Sequence, residues 1–154
     1  MAKSSTVVIT DTSCFIILEK LDLLHLLPDL FDHILTTPEI VREYGYMLPE
    51  WVNVRSVQNK SLQASLTKMV DPGEASAIAL AAEIECDYLL TDDKAARRLA
   101  EERGIPVKGS GGILSYAKKQ GKISFLRPYL EKMQSTNFRI SQKLIDILLK
   151  DAGE

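Results

Sequence analysis

The chain has 154 residues, of which 45% are apolar and 26% charged, an ordinary composition for one soluble globular domain with a full core. No apolar run approaches the roughly 20 residues of a membrane span, and residues 1–6 lack the apolar segment of a secretory signal, so we expect a cytoplasmic protein without a membrane partner. Cys14 and Cys86 lie far apart and lack metal-site spacing. We interpret both as small buried apolar residues of a reducing cytoplasm, with a disulfide as the less favoured alternative.

The net charge of −2 hides an uneven distribution of charged residues. Residues 1–91 carry 6 basic and 13 acidic side chains, whereas residues 92–132 carry 10 basic and 5 acidic ones. Such a chain can offer a basic rim to a phosphate backbone while gathering acids around a metal ion. The alternative is that the basic side chains form solvated helix faces. The residues concerned are Lys94, Arg97, Arg98, Lys118, Lys119 and Lys122.

The first half of the chain alternates short apolar runs with helical patterns. The predicted strands are 6–10, 34–37 and 51–57. The predicted helices are 13–20, 21–27, 38–44 and about 59–69. Pro28 is expected to end the second helix, Pro38 to begin the third, and Gly45 to end it.

The second half continues the alternation. Its predicted strands are 88–90 and 105–107. Its predicted helices are one opening at 71–74, then 94–102, 113–119, about 124–134 and 141–150. This order predicts a mostly parallel sheet with helices on both faces. The last helix has an apolar stripe that packs on the core or, less often in such cases, on a partner chain. The stripe consists of Ile140, Leu144, Ile147 and Leu148.

Two of the predicted strands end in carboxylates. The run 7–10 leads directly into Asp11, and the run 88–90 leads into Asp92 and Asp93 through Thr91. The carboxyl ends of parallel strands meet at one edge of the sheet, where ligands bind. Carboxylates at close range repel each other unless a divalent cation lies between them. The sequence therefore predicts a Mg²⁺ or Mn²⁺ site and phosphodiester chemistry.

Each acid also has a simpler explanation. Glu74 could be a first-turn helix acid, Glu43 a surface residue, and one member of the Asp92 and Asp93 pair the cap of the next helix. We favour Asp93 for the metal and Asp92 for the cap or a spare ligand. Asp11 is the hardest to explain without a cation, because it follows four apolar residues at the mouth of a central strand.

Three further residues are candidates for supporting roles. Ser13 and Thr91 could orient the carboxylates. Arg97 could contact a substrate phosphate, although Glu101 four residues later offers it a salt bridge instead.

One metal ion would suit these acids, and so would two about 4 Å apart. No Gly-x-Gly-x-x-Gly follows the first strand, which disfavours a dinucleotide-binding domain.

Four motifs in order resemble the PIN-domain superfamily over almost the whole chain. The closer resemblance is to a branch of small prokaryotic PIN proteins, formerly a domain of unknown function, that is related to the VapC toxins. The motifs are the strand ending in Asp11-Thr12-Ser13, the segment 38–43 with Glu43, the segment 73–81 with Glu74, and the segment 89–97 with Asp92, Asp93 and Arg97. The tail segments 107–123 and 137–141 also fit this branch.

The resemblance implies a single domain over 1–154 with a three-layer α/β/α fold, a parallel sheet of about five strands and a C-terminal helical extension over about 124–154. It implies a Mg²⁺- or Mn²⁺-dependent endoribonuclease, homodimers and, for a toxin, a cognate antitoxin. Carried over by motif position, the catalytic set is Asp11, Glu43, Glu74 and Asp93. The metal ligands are drawn from Asp11, Glu74, Asp92 and Asp93. VapC-type toxins more often have Asp where this chain has Glu74, and they usually have a single Asp after Thr-x.

Two other functions stay open at this point. One is a PIN-fold RNA-binding or regulatory protein with little or no nuclease activity. The other is a phosphatase-like or flap-nuclease-like enzyme that acts on DNA. Completeness of the acidic set favours the ribonuclease.

Overall fold

A five-stranded parallel sheet forms the centre of the molecule. The computed structural model describes residues 5–154; residues 1–4, part of the segment considered for a secretory signal, lie outside that range. The strands are β1 (Val7–Thr10), β2 (His33–Thr36), β3 (Val52–Val54), β4 (Tyr88–Leu90) and β5 (Val107–Lys108). Every neighbouring pair is parallel, in the order β3-β2-β1-β4-β5, which puts β1 at the centre. The predicted α/β architecture is confirmed.

Helices connect the strands and follow the last one. They are α1 (Thr12–Lys20), α2 (Leu26–Leu30), α3 (Pro38–Tyr44), α4 (Lys60–Leu66), α5 (Pro72–Glu83), α6 (Lys94–Glu102), α7 (Ser110–Lys119), α8 (Arg127–Gln134) and α9 (Gln142–Asp151). Within residues 5–154, no helix is long and apolar enough to cross a membrane.

The central strands are apolar because both of their faces are covered. Val8 and Ile9 of β1 are fully buried, and they pair with β2 on one side and β4 on the other. Strands covered by helices on both faces have continuous apolar runs instead of alternating ones. Their ends then place the polar residues that follow at a single edge of the sheet.

Local turn chemistry sets where the helices at this edge begin. Thr37 accepts a hydrogen bond from the backbone N–H of Ile40, and Pro38 occupies the first helical position of α3. Asp71 caps α5 in the same way, through the N–H of Glu74. A side-chain oxygen at the N-cap satisfies a helical N–H that has no partner within the helix.

Several predicted boundaries were wrong, including the start of the second helix, predicted at residue 21, and the last strand, predicted over 105–107. Pro28 lies in the first turn of α2 and does not end it, because a first-turn residue needs no N–H for the helix. Strand β3 has three residues instead of the seven predicted over 51–57. Helix α7 begins at Ser110 instead of residue 113, with Gly111 in its first turn. Glycine at 111 allows close packing, because a Cβ there would lie 2.9 Å from Cδ1 of Leu148.

The C-terminal helices pack on this core with a face different from the predicted stripe. The buried residues of α9 are Ile145, Leu148 and Leu149. Leu144 and Ile147 are 44% and 48% exposed. Of the stripe predicted from the sequence, Leu148 is buried and Ile140 is half-buried. The apolar face of α9 is therefore broader than the core requires.

A carboxylate clasp fastens the end of the chain to α7 and α8. The side chain of Glu154 accepts hydrogen bonds from the backbone N–H of Leu126 at 2.7 Å and of Arg127 at 3.2 Å, and it forms an ion pair with Lys118 at 2.7 Å. Lys118 also donates to the carbonyl of Ala152. The bond from Leu126 and then the bond from Lys118 lower the pKa of Glu154 to about 2.

Candidate active site

Asp11 lies buried at the end of the central strand. It caps α1 by accepting from the N–H of Cys14 at 3.0 Å, and Oγ of Ser13 lies 2.9 Å from both of its oxygens. Its exposed fraction is 2%. Burial raises the pKa of Asp11 to about 6, against hydrogen bonds from Thr91, Cys14 and Ser13 that lower it, and the charge of Asp92 raises it further. These donors hold Asp11 in place.

The two acids after β4 have different surroundings. Asp93 caps α6 by accepting from the N–H of Ala96 at 2.8 Å. Asp92 accepts from the N–H of Ser110 at 2.9 Å and from the Cys14 thiol at 3.6 Å. Burial raises the pKa of Asp92, and the contacts with Ser110 oppose this rise. The expectation that Asp92 would be the cap was wrong, because the chain turns so that Asp92 faces α7.

Glu74 joins this group from the first turn of α5. Burial raises the pKa of Glu74 to about 8, and the charges of Asp71, Asp93 and Asp11 raise it further. A hydrogen bond with Asp93 also favours the protonated form of Glu74. Glu74 therefore links the two strand ends electrostatically.

Asp93 both caps α6 and places a negative charge beside Glu74, and two variants separate these roles. Asp93→Asn and Asp93→Ala both remove the charge beside Glu74, but only Asn retains a capping oxygen. We expect Asp93→Ala to be less stable than Asp93→Asn by about 1 kcal/mol. Urea unfolding at pH 7 with a chelator measures the difference. Equal stability of the two variants would show that the cap contributes nothing.

Glu43 lies at the same end of α5 but in a more open position. It is exposed, and its carboxylate contacts Gly73 so closely that a Cβ at Gly73 would overlap it. Gly73 directly precedes Glu74. The structure thus places Glu43 against the start of α5, and it brings Asp11 and Glu74 within electrostatic reach of the acids after β4. The role of Glu43 stays a prediction.

The predicted supporting residues lie between the acids. Ser13 reaches both strand ends, since its hydroxyl donates to Asp11 and lies 3.5 Å from the N–H of Asp92. Thr91 is 1% exposed, bonds to Asp11, and accepts from the N–H of Asp93 at 3.2 Å. Both hydroxyls are therefore placed to orient the carboxylates.

Arg97 turns toward Asp92 and away from Glu101. Its Nη1 and the Oδ1 of Asp92 would each lie 2.7 Å from a Cβ at Gly109, and its charge lowers the pKa of Asp92. Within residues 5–154 the ion pair found at 4.0 Å or less is the one in the Glu154 clasp, so the Arg97–Glu101 salt bridge is not formed. A groove of about 550 Å³ runs along α6 beside Arg97. It is lined by Lys94, Arg97, Arg98, Glu101 and Glu102.

Sequence reasoning missed three residues that hold Asp92. Cys14 was expected to be a plain apolar residue, and it is fully buried, but its thiol donates to Asp92. Gly109 and Ser110 were placed between the predicted strand 105–107 and the predicted helix 113–119, with no role assigned to them. Their positions in the sequence could have indicated that they lie near the acids. Cys14 comes three residues after Asp11, and Gly109 follows β5, the strand next to β4. Cys86 is half-buried, and both thiols are free.

These acids fit a hard divalent cation. Buried carboxylates that raise one another's pKa are what an added cation would stabilise. In the part of the chain that the structure describes, no group of three or more His, Cys, Asp or Glu side chains is placed to hold one ion. Mg²⁺ is usually held by one or two carboxylates and keeps several waters, so carboxylate pairs suffice. The pairs available are Asp11 with Asp92, and Glu74 with Asp93.

Acids gathered at the carboxyl edge of a parallel α/β sheet are an arrangement suited to binding a divalent cation. A family model described as a PIN domain matches residues 7–154. The chain therefore belongs to the PIN-domain family, which confirms the resemblance seen in its motifs. PIN domains are generally nucleases that depend on divalent metal ions. No curated protein matches the chain.

Proposed function

We propose that this PIN domain is a Mg²⁺- or Mn²⁺-dependent endoribonuclease that hydrolyses RNA phosphodiester bonds. The observation that carries the proposal is the buried carboxylate of Asp11, held by hydrogen bonds beside Asp92 at the ends of two adjacent strands. A protein gains no stability from such an arrangement, because burying like charges together is unfavourable. A cation that also binds phosphate accounts for it.

In this proposal the ligands are drawn from Asp11, Glu74, Asp92 and Asp93, and one carboxylate pair would hold each ion. When bound, the ion supplies Lewis-acid stabilisation of the charge that develops on the phosphate. Ser13 and Thr91 fix the orientation of Asp11 through their hydroxyls.

We assign proton transfer to Glu74 for the case in which Asp11 and Asp92 hold the ion. In the metal-free protein burial raises the pKa of Glu74 to about 8, near the pH at which a general acid or base works best, and a bound cation would lower that pKa. Glu43, against the start of the same helix, is the second candidate for contact with substrate or water. Arg97, with Lys94 and Arg98 along the groove, would receive substrate phosphates.

The test of this function is cleavage of single-stranded RNA with Mg²⁺ or Mn²⁺. We expect cleavage by the wild type, none with a chelator, and none by Asp11→Asn. Parallel assays on single-stranded DNA separate a ribonuclease from a DNA-directed enzyme. Equal cleavage by wild type and Asp11→Asn would show that the activity belongs elsewhere or to a contaminant.

The cellular setting is the second part of the proposal. We place the protein in the cytoplasm as the toxin-like component of a toxin–antitoxin pair, with a homodimer as its assembly. Two free cysteines and the VapC-like motifs support this setting. A neighbouring gene that encodes a short DNA-binding protein, and whose expression relieves growth arrest, would support the toxin. Light scattering tests the dimer.

An RNA-binding protein with little nuclease activity is the second candidate. The contacts of Asp92 favour it, because the Ser110 N–H and the Arg97 charge already compensate this carboxylate without a metal. This candidate predicts that wild-type protein binds RNA with a chelator present but does not cleave it when Mn²⁺ is added.

A further inference from the structure

Two buried hydroxyls at the starts of helices have no hydrogen-bond partner. Within residues 5–154, the buried side-chain nitrogen and oxygen atoms left without a partner are the hydroxyls of Thr12 and Ser110. Each is the first residue of its helix, α1 or α7. A buried hydroxyl without a hydrogen bond is unfavourable, because it has lost its contacts with water and gained none in return. Such a group points to a bound water, ion or ligand that completes its bonding.

The fully buried Ser110 lies against the carboxylate of Asp92. Its backbone N–H donates to Oδ1 of Asp92 at 2.9 Å. Burial raises the pKa of Asp92, and the Ser110 side chain is among the groups that lower it, as a hydroxyl facing the carboxylate would. The same hydroxyl forms no hydrogen bond with Asp92. An unpaired hydroxyl and a buried carboxylate therefore face one another inside the acidic site.

The oxygens of Asp92 still have positions for a cation. Oδ1 accepts from the Ser110 N–H and Oδ2 accepts from the Cys14 thiol, so each oxygen uses one of its two lone-pair positions. Cys14 also donates its N–H to Asp11 at 3.0 Å. The two carboxylates that end β1 and β4 are therefore neighbours across a single residue, on the side of the site where the Ser110 hydroxyl lies.

A divalent cation at this pair of carboxylates would keep several waters. Mg²⁺ is coordinated octahedrally by oxygen, and protein carboxylates usually supply only one or two of its ligands. Among residues 5–154, no third His, Cys, Asp or Glu side chain completes a group placed to hold one ion. The waters of the ion then need hydrogen-bond partners from the protein, because such partners fix the ligands of a metal in position.

We propose that the Ser110 hydroxyl belongs to the divalent-cation site, as the hydrogen-bond partner of a water coordinated to an ion at Asp11 and Asp92. The inference rests on the metal site of the proposed ribonuclease and deepens it, because it assigns an ion to this pair of carboxylates. A simpler role for the hydroxyl is a bond to an ordered water that contacts no ion. That role predicts the same affinity for Mn²⁺ with and without the hydroxyl.

The affinity of the RNA-free protein for Mn²⁺ tests the proposal. Hydrated Mn²⁺ loses its sharp electron paramagnetic resonance signal when it binds to a protein, so a titration measures the free and the bound ion. The proteins compared are the wild type, Ser110→Ala and Ser110→Gly. Both variants keep the N–H that donates to Asp92 and lack the hydroxyl. Ser61→Ala is the control, since Ser61 is an exposed serine on α4.

Both Ser110 variants should bind Mn²⁺ roughly 10- to 100-fold more weakly than the wild type, as when a residue that orients a metal ligand is lost. Ser61→Ala should match the wild type. The second variant at position 110 keeps the test valid if the other fails to fold. Wild-type affinity for Mn²⁺ in both Ser110 variants would overturn the role of the hydroxyl, even if RNA cleavage is confirmed.

Stability of the metal-free protein separates this role from ordinary packing. In urea unfolding with a chelator, Ser110→Ala should have a midpoint at or above that of the wild type, because it removes a hydroxyl without a partner. Ser76→Ala should have a lower midpoint, because the equally buried Ser76 hydroxyl donates to the carbonyl of Gly73 at 2.6 Å. An equal loss in the two variants would show that the Ser110 hydroxyl is already bonded without a metal, which overturns the proposal.

The cation site and the ribonuclease can fail separately. A wild type that binds Mn²⁺ with the help of Ser110 but cleaves no RNA would remove the nuclease and retain the site. A wild type that binds no Mn²⁺ would overturn both.

Discussion

Asp11→Asn is expected to make the metal-free protein more stable at pH 8, by about 1 to 3 kcal/mol. The physical reason is that Asp11 is charged at pH 8 although it is 2% exposed and beside Asp92. Asparagine removes this charge but keeps an oxygen for the N–H of Cys14, so the cap of α1 survives. The variant that abolishes activity should therefore be the more stable protein.

The pH dependence of the stability follows from the direction in which folding shifts the pKa of Asp11. Folding raises the pKa of Asp11 from 3.8 to about 6, so its protonated form stabilises the fold below about pH 4, and this stability is lost as the pH rises through 6. Glu74 acts in the same direction up to about pH 8. The advantage of Asp11→Asn should thus be larger at pH 8 than at pH 5, and part of the pH dependence should remain in the variant.

Urea unfolding with a chelator at pH 5 and pH 8 measures this effect, with Asp146→Asn on the exposed face of α9 as the matched control. Adding Mg²⁺ should stabilise the wild type and leave Asp11→Asn nearly unchanged, because only a site that binds the ion gains stability from it. If Asp11→Asn were less stable than the wild type at pH 8, the charge of Asp11 would already be compensated in the metal-free protein.

Gly109→Ala is expected to destabilise the fold by about 1 to 3 kcal/mol through overpacking. Gly109 has an ordinary φ of −86°, so its backbone does not require glycine. The constraint is space, since a Cβ would lie 2.7 Å from Oδ1 of Asp92 and from Nη1 of Arg97. Arg97 is long enough to move away, whereas Asp92 is short and bonded to the N–H of Ser110.

RNA cleavage by Gly109→Ala should fall by roughly 10- to 100-fold, as when a residue that orients a metal ligand is lost. Ser61→Ala on the exposed side of α4 is the control, and it should leave stability and cleavage close to the wild-type values. Urea unfolding and cleavage rates measured side by side compare the two variants. Equal stability and equal activity would show that Asp92 is free to move without consequence.

Hydrophobic patterning was sufficient to predict the architecture. Strand β4 was predicted at its exact bounds, and α3 was bounded correctly by Pro38 and by Gly45, whose φ of 76° suits glycine. The errors occurred where local pattern and tertiary structure disagree. The alternation over 51–57 continues past the point where β3 stops pairing with β2, at Val54. Pairing depends on a neighbouring strand, which a local pattern does not contain.

For the candidate site, the sequence indicated which strand ends carry acids but not which way each acid turns. Asp11 was recognisable because a carboxylate at a buried strand end has few structural reasons to be there. Glu74 at a helix start had a structural alternative, and the motif over 73–81 singled it out. The choice between Asp92 and Asp93 depended on α7, whose first N–H binds Asp92 from a segment 18 residues away. The hydrogen bond from the Cys14 thiol to Asp92 depends on the same orientation of Asp92.

The strand order also governs when the acids can meet during folding. Strand β1 pairs with β2, about 26 residues later, and with β4, about 80 residues later. Closing the longer loop costs more entropy, and non-local parallel pairing is slow. A chain still emerging from the ribosome can therefore form the β1–β2 pair well before Asp92 and Asp93 reach Asp11. Under the proposed ribonuclease function, the ribosome-bound chain would be inactive until synthesis has passed β4.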